Sequence, residues 1–80
     1  MILTADIGNT NITLGIFDGD ELVCISRLAT QRHRTSEQYA VELSSIFSLE
    51  KIDTESINGA IISSVVPELT RVFKNAITKV

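Results

Sequence analysis

The fold is decided by residues 2–18, which read ILTADIGNTNITLGIFD. The apolar run at residues 2–5 ends at Asp6 and predicts a buried strand. Gly-Asn-Thr at residues 8–10 then predicts a tight turn. Through residues 11–17, apolar side chains alternate with their neighbours in the period-two pattern of a second strand. This part of the chain therefore predicts two strands joined by a short, polar, glycine-containing turn.

The next strand follows a second turn signal, Asp18-Gly19-Asp20, in which the glycine accepts a positive φ. Beyond it, residues 22–27 again alternate and predict a third strand. The first 28 residues thus predict a three-stranded antiparallel meander.

Two helices are predicted in the rest of the chain, with a strand between them. Thr35 and Gln38 have the spacing of a capping box. The apolar stripe that follows is Tyr39, Leu43, Ile46 and Phe47. Residues 60–66 form a β-branched run that predicts a strand buried on both faces, and Pro67 suits the first turn of a second helix.

The order β-β-β-α-β-α predicts an α/β fold in which a mixed sheet has helices packed on its faces. The crossover through the first helix requires the fourth strand to be parallel to one of the first three. The second helical stripe stops at Val80 without a C-cap signal, so we expect the domain to be incomplete at its C-terminus.

Composition excludes several classes of protein. The chain has 80 residues, which is room for one small domain, and 44% hydrophobic with 21% charged residues is typical of a globular protein. A net charge of −3 argues against a nucleic-acid partner. No apolar run long enough to span a membrane and no basic leader occurs, so we expect neither a membrane partner nor a signal peptide. One cysteine, Cys24, fits a reducing, cytoplasmic location.

The turn at residues 8–10 has the chemistry of a polyphosphate site. Gly8 permits close backbone approach, successive N–H groups of the turn can face anionic oxygens, and Asn9, Thr10 and Asn11 add side-chain donors. Asp6 would repel a phosphate directly but could hold Mg²⁺ through water. The alternative is that Asp6 and Gly8 only shape a hairpin.

The segment 6–13, DIGNTNIT, resembles the first phosphate motif of the type III pantothenate kinases, in the acetate and sugar kinase/Hsp70/actin superfamily. The same N-terminal pattern is matched, in order, by GIFDG at 15–19, RLAT at 27–30, RTSEQY at 34–39 and IISSVVPELT at 61–70. The resemblance covers the whole chain and implies a ribonuclease H-like fold, with residues 1–80 as the N-terminal part of the first actin-like ATPase domain.

The resemblance implies transfer of the γ-phosphoryl group of ATP to pantothenate, which is the first step of coenzyme A biosynthesis. It also implies Mg²⁺, a monovalent cation (K⁺ or NH₄⁺) and a homodimer. The residues that would line the ATP phosphates are Asp6, Ile7, Gly8, Asn9, Thr10, Asn11, Ile12 and Thr13, with Asp6 near the metal.

The family's catalytic aspartate belongs to a Gly-Ala-Asp-Arg motif, and no such string occurs in residues 1–80. We therefore expect the base beyond Val80, a second domain outside this chain, and no activity from residues 1–80 alone. An unpaired sheet edge would favour self-association. Alternative functions are another phosphotransferase of the superfamily or a non-catalytic accessory protein in transcription.

Other polar residues have two interpretations each. Arg27, Arg32, His33 and Arg34 could bind an anion or simply form a solvated loop and helix entry. The pair at 63–64, Ser-Ser, could approach the nucleotide or cap the end of the fourth strand.

Overall fold

The predicted meander is present in the computed structural model, which describes residues 1–80. Its strands are β1 (Ile2–Ile7), β2 (Asn11–Asp18) and β3 (Glu21–Ala29), each antiparallel to the next. Gly19 has φ +62° in the turn between β2 and β3, which is the conformation that the Asp-Gly-Asp signal predicts.

A fourth strand, β4 (Gly59–Ser64), pairs in parallel with β1 and gives the sheet order β3-β2-β1-β4. The connection runs through α1 (Ser36–Leu49) and a short 3₁₀ turn at Thr54–Ser56. The expected parallel crossover is therefore confirmed, and the α/β order β-β-β-α-β-α is the observed one.

Both helices begin as the sequence predicts. The capping box of α1 is complete, since the Gln38 N–H donates to Thr35 Oγ1 (3.2 Å) and the Thr35 N–H donates to Gln38 Oε1 (2.8 Å). α2 (Pro67–Lys79) has Pro67 in its first turn. Neither helix has the length and apolar character needed to cross a membrane.

One apolar core holds the sheet and both helices together. Tyr39 of α1 and Phe73 of α2 are fully buried and meet edge to face, with ring centroids 5.4 Å apart. The other members of the core are Leu3, Ala5, Ile7, Ile12, Leu14, Ile16, Leu28, Leu43, Phe47, Val66, Leu69 and Ala76. The core residues of β1 and β2 are register partners and lie on a single face of the sheet. Because residues of both helices belong to the same core, both helices cover that face.

The prediction that β4 is buried on both faces is wrong. β4 is an edge strand, and Ile61 is 64% exposed on the face away from the helices. Only the residues aligned with the core face of β1, such as Ile62 beside Ala5, pack against the helices. The expectation of helices on the faces of the sheet therefore holds for one face, and the other is bare within residues 1–80.

Candidate phosphate-binding site

The turn at residues 8–10 joins β1 to β2 and is closed by its own backbone. The Gly8 N–H donates to the Asn11 carbonyl oxygen at 2.9 Å. A Cβ atom on Gly8 would lie only 3.1 Å from that oxygen, which is closer than ordinary contacts allow. Any larger residue here would push against the Asn11 carbonyl, so glycine suits this close approach of the backbone.

Closure of the turn decides which backbone donors are free. The Gly8 N–H is used inside the turn, whereas those of Asn9 and Thr10 make no hydrogen bond within the chain. Adjacent backbone N–H groups of a turn can donate together to one anion. The turn thus offers two backbone donors to an anion.

The eight residues 6–13 do not all face the same way. Ile7 and Ile12 are fully buried among the core residues, so their side chains point towards the helices and only their backbone adjoins the turn. The side chains of Asn9, Thr10 and Asn11 are exposed, and Asn11 Nδ2 donates to Thr10 Oγ1 at 3.3 Å.

Asp6 lies at the carboxyl end of β1, on the bare face of the sheet. Its side chain is exposed, and its register partners on the neighbouring strands are Thr13 on β2 and Ser63 on β4. Register partners on neighbouring strands share a face of the sheet, so the side chains of Thr13 and Ser63 lie on either side of Asp6. The exposed carboxylate thus lies at the end of the strand that leads into the turn with the two free N–H groups.

The donor set around Asp6 fits a hydrated magnesium ion. Mg²⁺ prefers oxygen ligands, keeps several waters, and uses one or two carboxylates together with substrate phosphates. No group of three or more His, Cys, Asp or Glu side chains lies together in the chain. A metal at Asp6 would therefore take its remaining ligands from water and phosphate oxygens.

A second layer supports the turn from the segment after β3. Thr30 Oγ1 donates to the Gly8 carbonyl oxygen at 2.8 Å, and the Thr30 N–H donates to the Thr10 carbonyl oxygen at 2.9 Å. Both contacts satisfy carbonyl groups of the turn and leave its N–H groups free. Thr30 thereby fixes the direction in which those donors point.

Arg32, from the same segment, links the turn to the first turn of α2. Its Nη2 donates to Asn9 Oδ1 at 2.9 Å and its Nη1 donates to Glu68 Oε2 at 3.1 Å. The pKa of Glu68 is lowered chiefly because its carboxylate accepts a hydrogen bond from its own backbone N–H; desolvation opposes this, and Arg32 lowers the pKa as well. Glu68 therefore stays ionised at neutral pH and remains a partner for Arg32.

Comparison with known proteins identifies the family. The model of the type III pantothenate kinases matches residues 2–80. The chain belongs to the type III pantothenate kinase family. It is 44% identical over 79 residues to the type III pantothenate kinase of Moorella thermoacetica, 47% over 74 residues to that of Roseiflexus castenholzii and 42% over 79 residues to that of Agathobacter rectalis.

These alignments cover 99%, 92% and 99% of this chain, but 31%, 29% and 30% of the respective relatives. The chain thus spans about a third of the length of the type III pantothenate kinases it matches. The predicted family is confirmed over residues 2–80, and the ribonuclease H-like α/β fold with it.

The structure separates the other polar residues by role. Ser64 Oγ accepts from the Val66 N–H at 3.0 Å, which favours strand-end capping for this residue, whereas Ser63 shares the face of Asp6. Arg34 forms an ion pair with Glu42 and lies over the ring of Tyr39, so its role is to hold the start of α1.

Sequence reasoning missed Thr30 and Arg32 as supports of the turn. Thr30 occurs in RLAT, one of the strings that carry the family resemblance, and that match was the only indication in the sequence that Thr30 matters. No short-range pattern joins either residue to Gly8 or Asn9, because the contacts span more than 20 positions along the chain.

Replacement of Thr30 by valine tests the support of the turn. Thr30→Val keeps the shape of the side chain and removes the hydroxyl that donates to the Gly8 carbonyl oxygen. We expect a loss of about 1 kcal/mol in the free energy of unfolding, as for a single intramolecular hydrogen bond. Urea denaturation measures the loss, with Thr70→Val on the exposed surface of α2 as the matched control. Equal effects of the two substitutions would contradict a supporting role for Thr30.

Proposed function

We propose that this chain is the phosphate-binding part of a type III pantothenate kinase, which transfers the γ-phosphoryl group of ATP to pantothenate and yields 4′-phosphopantothenate in the cytoplasm. One observation carries the proposal: the turn that directly follows β1 leaves the N–H groups of Asn9 and Thr10 free, and Asp6 is exposed at the end of that strand, in a chain that matches this family from residue 2 to residue 80. Membership of the family supports pantothenate as the acceptor over other substrates of the superfamily.

The chain's own part in the reaction is to position the phosphates of ATP. Phosphoryl transfer depends mainly on positioning and on neutralisation of charge, and little on covalent chemistry by the protein. The N–H groups of Asn9 and Thr10 donate to phosphate oxygens, and the side chains of Thr10 and Asn11 add polar contacts at the same edge. Asp6 would hold a Mg²⁺ ion through water. When bound, that ion neutralises negative charge on the phosphates.

The remaining parts of the reaction are assigned to the rest of the kinase. We propose that the complete kinase, meaning this chain together with a second actin-like domain, supplies the aspartate base, the pantothenate pocket and the site for K⁺ or NH₄⁺. We assign none of these to residues 1–80. The complete kinase is proposed to be a homodimer, a state consistent with the unpaired β4 edge and the bare face of the sheet.

A phosphorylation assay tests the proposed function. With ATP, Mg²⁺ and K⁺ present, the complete kinase should convert pantothenate to 4′-phosphopantothenate, detected by mass spectrometry. The 80-residue chain assayed at the same molar concentration should give no product, because the base is assigned outside it. Phosphorylation of a different acceptor, but not of pantothenate, by the complete kinase would contradict the proposal. Turnover by the 80-residue chain would overturn the location of the base.

A further inference from the structure

The side-chain amide of Asn9 has only one orientation compatible with its neighbour. A guanidinium group carries five N–H donors and no acceptor, so the Asn9 atom that faces Arg32 must be Oδ1. The distance of 2.9 Å from Arg32 Nη2 to this oxygen agrees with a charge-assisted hydrogen bond. The Nδ2 end of the amide then points away from Arg32 and makes no hydrogen bond within the chain.

Arg32 is itself held in place from three directions. Its second terminal nitrogen donates to Glu68 at 3.1 Å, and two such contacts fix the plane of the guanidinium. The residue before it, Gln31, is anchored to the buried Tyr39: the Tyr39 hydroxyl donates to the Gln31 carbonyl oxygen (2.8 Å) and accepts from the Gln31 N–H (3.0 Å). Thr30 is fixed to the turn as described above. The position of Arg32 is therefore set by the core as well as by its own contacts.

The Arg32–Glu68 ion pair contributes little to the stability of the fold. The side chain of Arg32 is 45% exposed and that of Glu68 is 58% exposed. Exposed pairs of this kind add little to stability, because water screens the attraction and both side chains lose conformational freedom. Stability of the fold therefore does not explain why this exposed arginine is held in one orientation. The other group that Arg32 contacts, the Asn9 amide, explains it better.

We propose that Arg32 is a positioning residue that holds the Asn9 amide with its Nδ2 donors directed at the phosphates of ATP. The proposal rests on the proposed function, because the phosphates are the ligand of the turn. With Arg32 absent, the amide is free to rotate, and its Oδ1 acceptor would then face phosphate oxygens that are also acceptors. Arg32 thus keeps the donor end of the Asn9 amide, rather than its acceptor end, facing the anionic ligand.

A double-mutant cycle in the complete kinase tests whether Arg32 acts through Asn9. A lost hydrogen bond to a charged group corresponds to about 1.5–3 kcal/mol, so Arg32→Ala should raise the KM for ATP by about 10-fold or more. The KM for pantothenate and the melting temperature should stay unchanged. In an Asn9→Ala background, Arg32→Ala should produce no further increase. Arg32→Lys should have a smaller effect than Arg32→Ala, since an ammonium group also has donors only.

Arg71→Ala is the matched control, because Arg71 is an exposed arginine of α2 with no contact to the turn. The proposal would be overturned if Arg32→Ala raised the KM for ATP by the same factor with and without Asn9, or if it changed the KM no more than Arg71→Ala does. Calorimetry of Mg²⁺–ATP binding to the same variants repeats the double-mutant cycle without pantothenate. A complete kinase that binds ATP but does not phosphorylate pantothenate would therefore refute the proposed function and still give a result for Arg32.

Discussion

Replacement of Asp6 by asparagine should lower the kcat of the complete kinase for pantothenate by about 10- to 100-fold, the range seen when a residue that orients metal-bound groups is lost. Asp6→Asn keeps the size of the side chain and removes its negative charge. The carboxylate is exposed at the end of β1, between the register partners Thr13 and Ser63. Without it, a Mg²⁺ ion at the proposed site would lose the carboxylate that holds it through water. Steady-state kinetics at saturating ATP measure the change.

Asp18→Asn provides the matched control for this substitution. Asp18 is an exposed aspartate at the other end of the same hairpin, where it pairs in register with Glu21. Its replacement should leave kcat unchanged, and both variants should keep the melting temperature of the parent. A normal kcat for Asp6→Asn would remove Asp6 from the mechanism.

Replacement of Phe73 by alanine should strongly destabilise the 80-residue chain. The side chain is 0% exposed, and its ring meets that of Tyr39 at 5.4 Å between centroids, so its loss opens a cavity between α1, α2 and the sheet. A truncation of this kind costs about 3–5 kcal/mol. Native proteins have only about 5–15 kcal/mol of stability in total, so this loss is a large fraction of it. Urea denaturation followed by circular dichroism measures the loss.

Two further variants make the result specific to the core. Phe73→Leu keeps most of the apolar volume and should lose much less, on the order of 1.5 kcal/mol or below. Val41→Ala removes a side chain that is 68% exposed on α1 and should change the stability by no more than about 0.5 kcal/mol. If Phe73→Ala and Val41→Ala destabilised the chain equally, the packing of α2 on α1 described above would be wrong.

Local signals in the sequence were sufficient to predict the elements of the fold. The capping box at Thr35 and Gln38, the turn at Gly19 and the proline at the start of α2 each depend on neighbours within a few residues, and each is present. The exposure of β4 was not predictable in this way. A β-branched run such as residues 60–66 has the same pattern in a central strand and in an edge strand, and only the number of packed layers distinguishes the two.

The candidate site was predicted in its position but not in its detail. The alternation of residues 11–17 predicted that Ile12 and Leu14 share one face of β2, whereas the resemblance marked residues 6–13 as one continuous segment. The structure agrees with the alternation, since Ile12 is fully buried. The contact between Arg32 and Asn9 depends on where the segment after β3 crosses the turn, and composition alone could not separate Arg32 from Arg34.

A crystal structure of the complete kinase with Mg²⁺ and a non-hydrolysable ATP analogue tests the central claim most directly. The account predicts phosphate oxygens at hydrogen-bond distance, about 3 Å, from the backbone nitrogens of Asn9 and Thr10. It also predicts the metal ion joined to Asp6 through water. Phosphates bound elsewhere, with the N–H groups of Asn9 and Thr10 facing solvent, would contradict the assignment of this turn as the phosphate site.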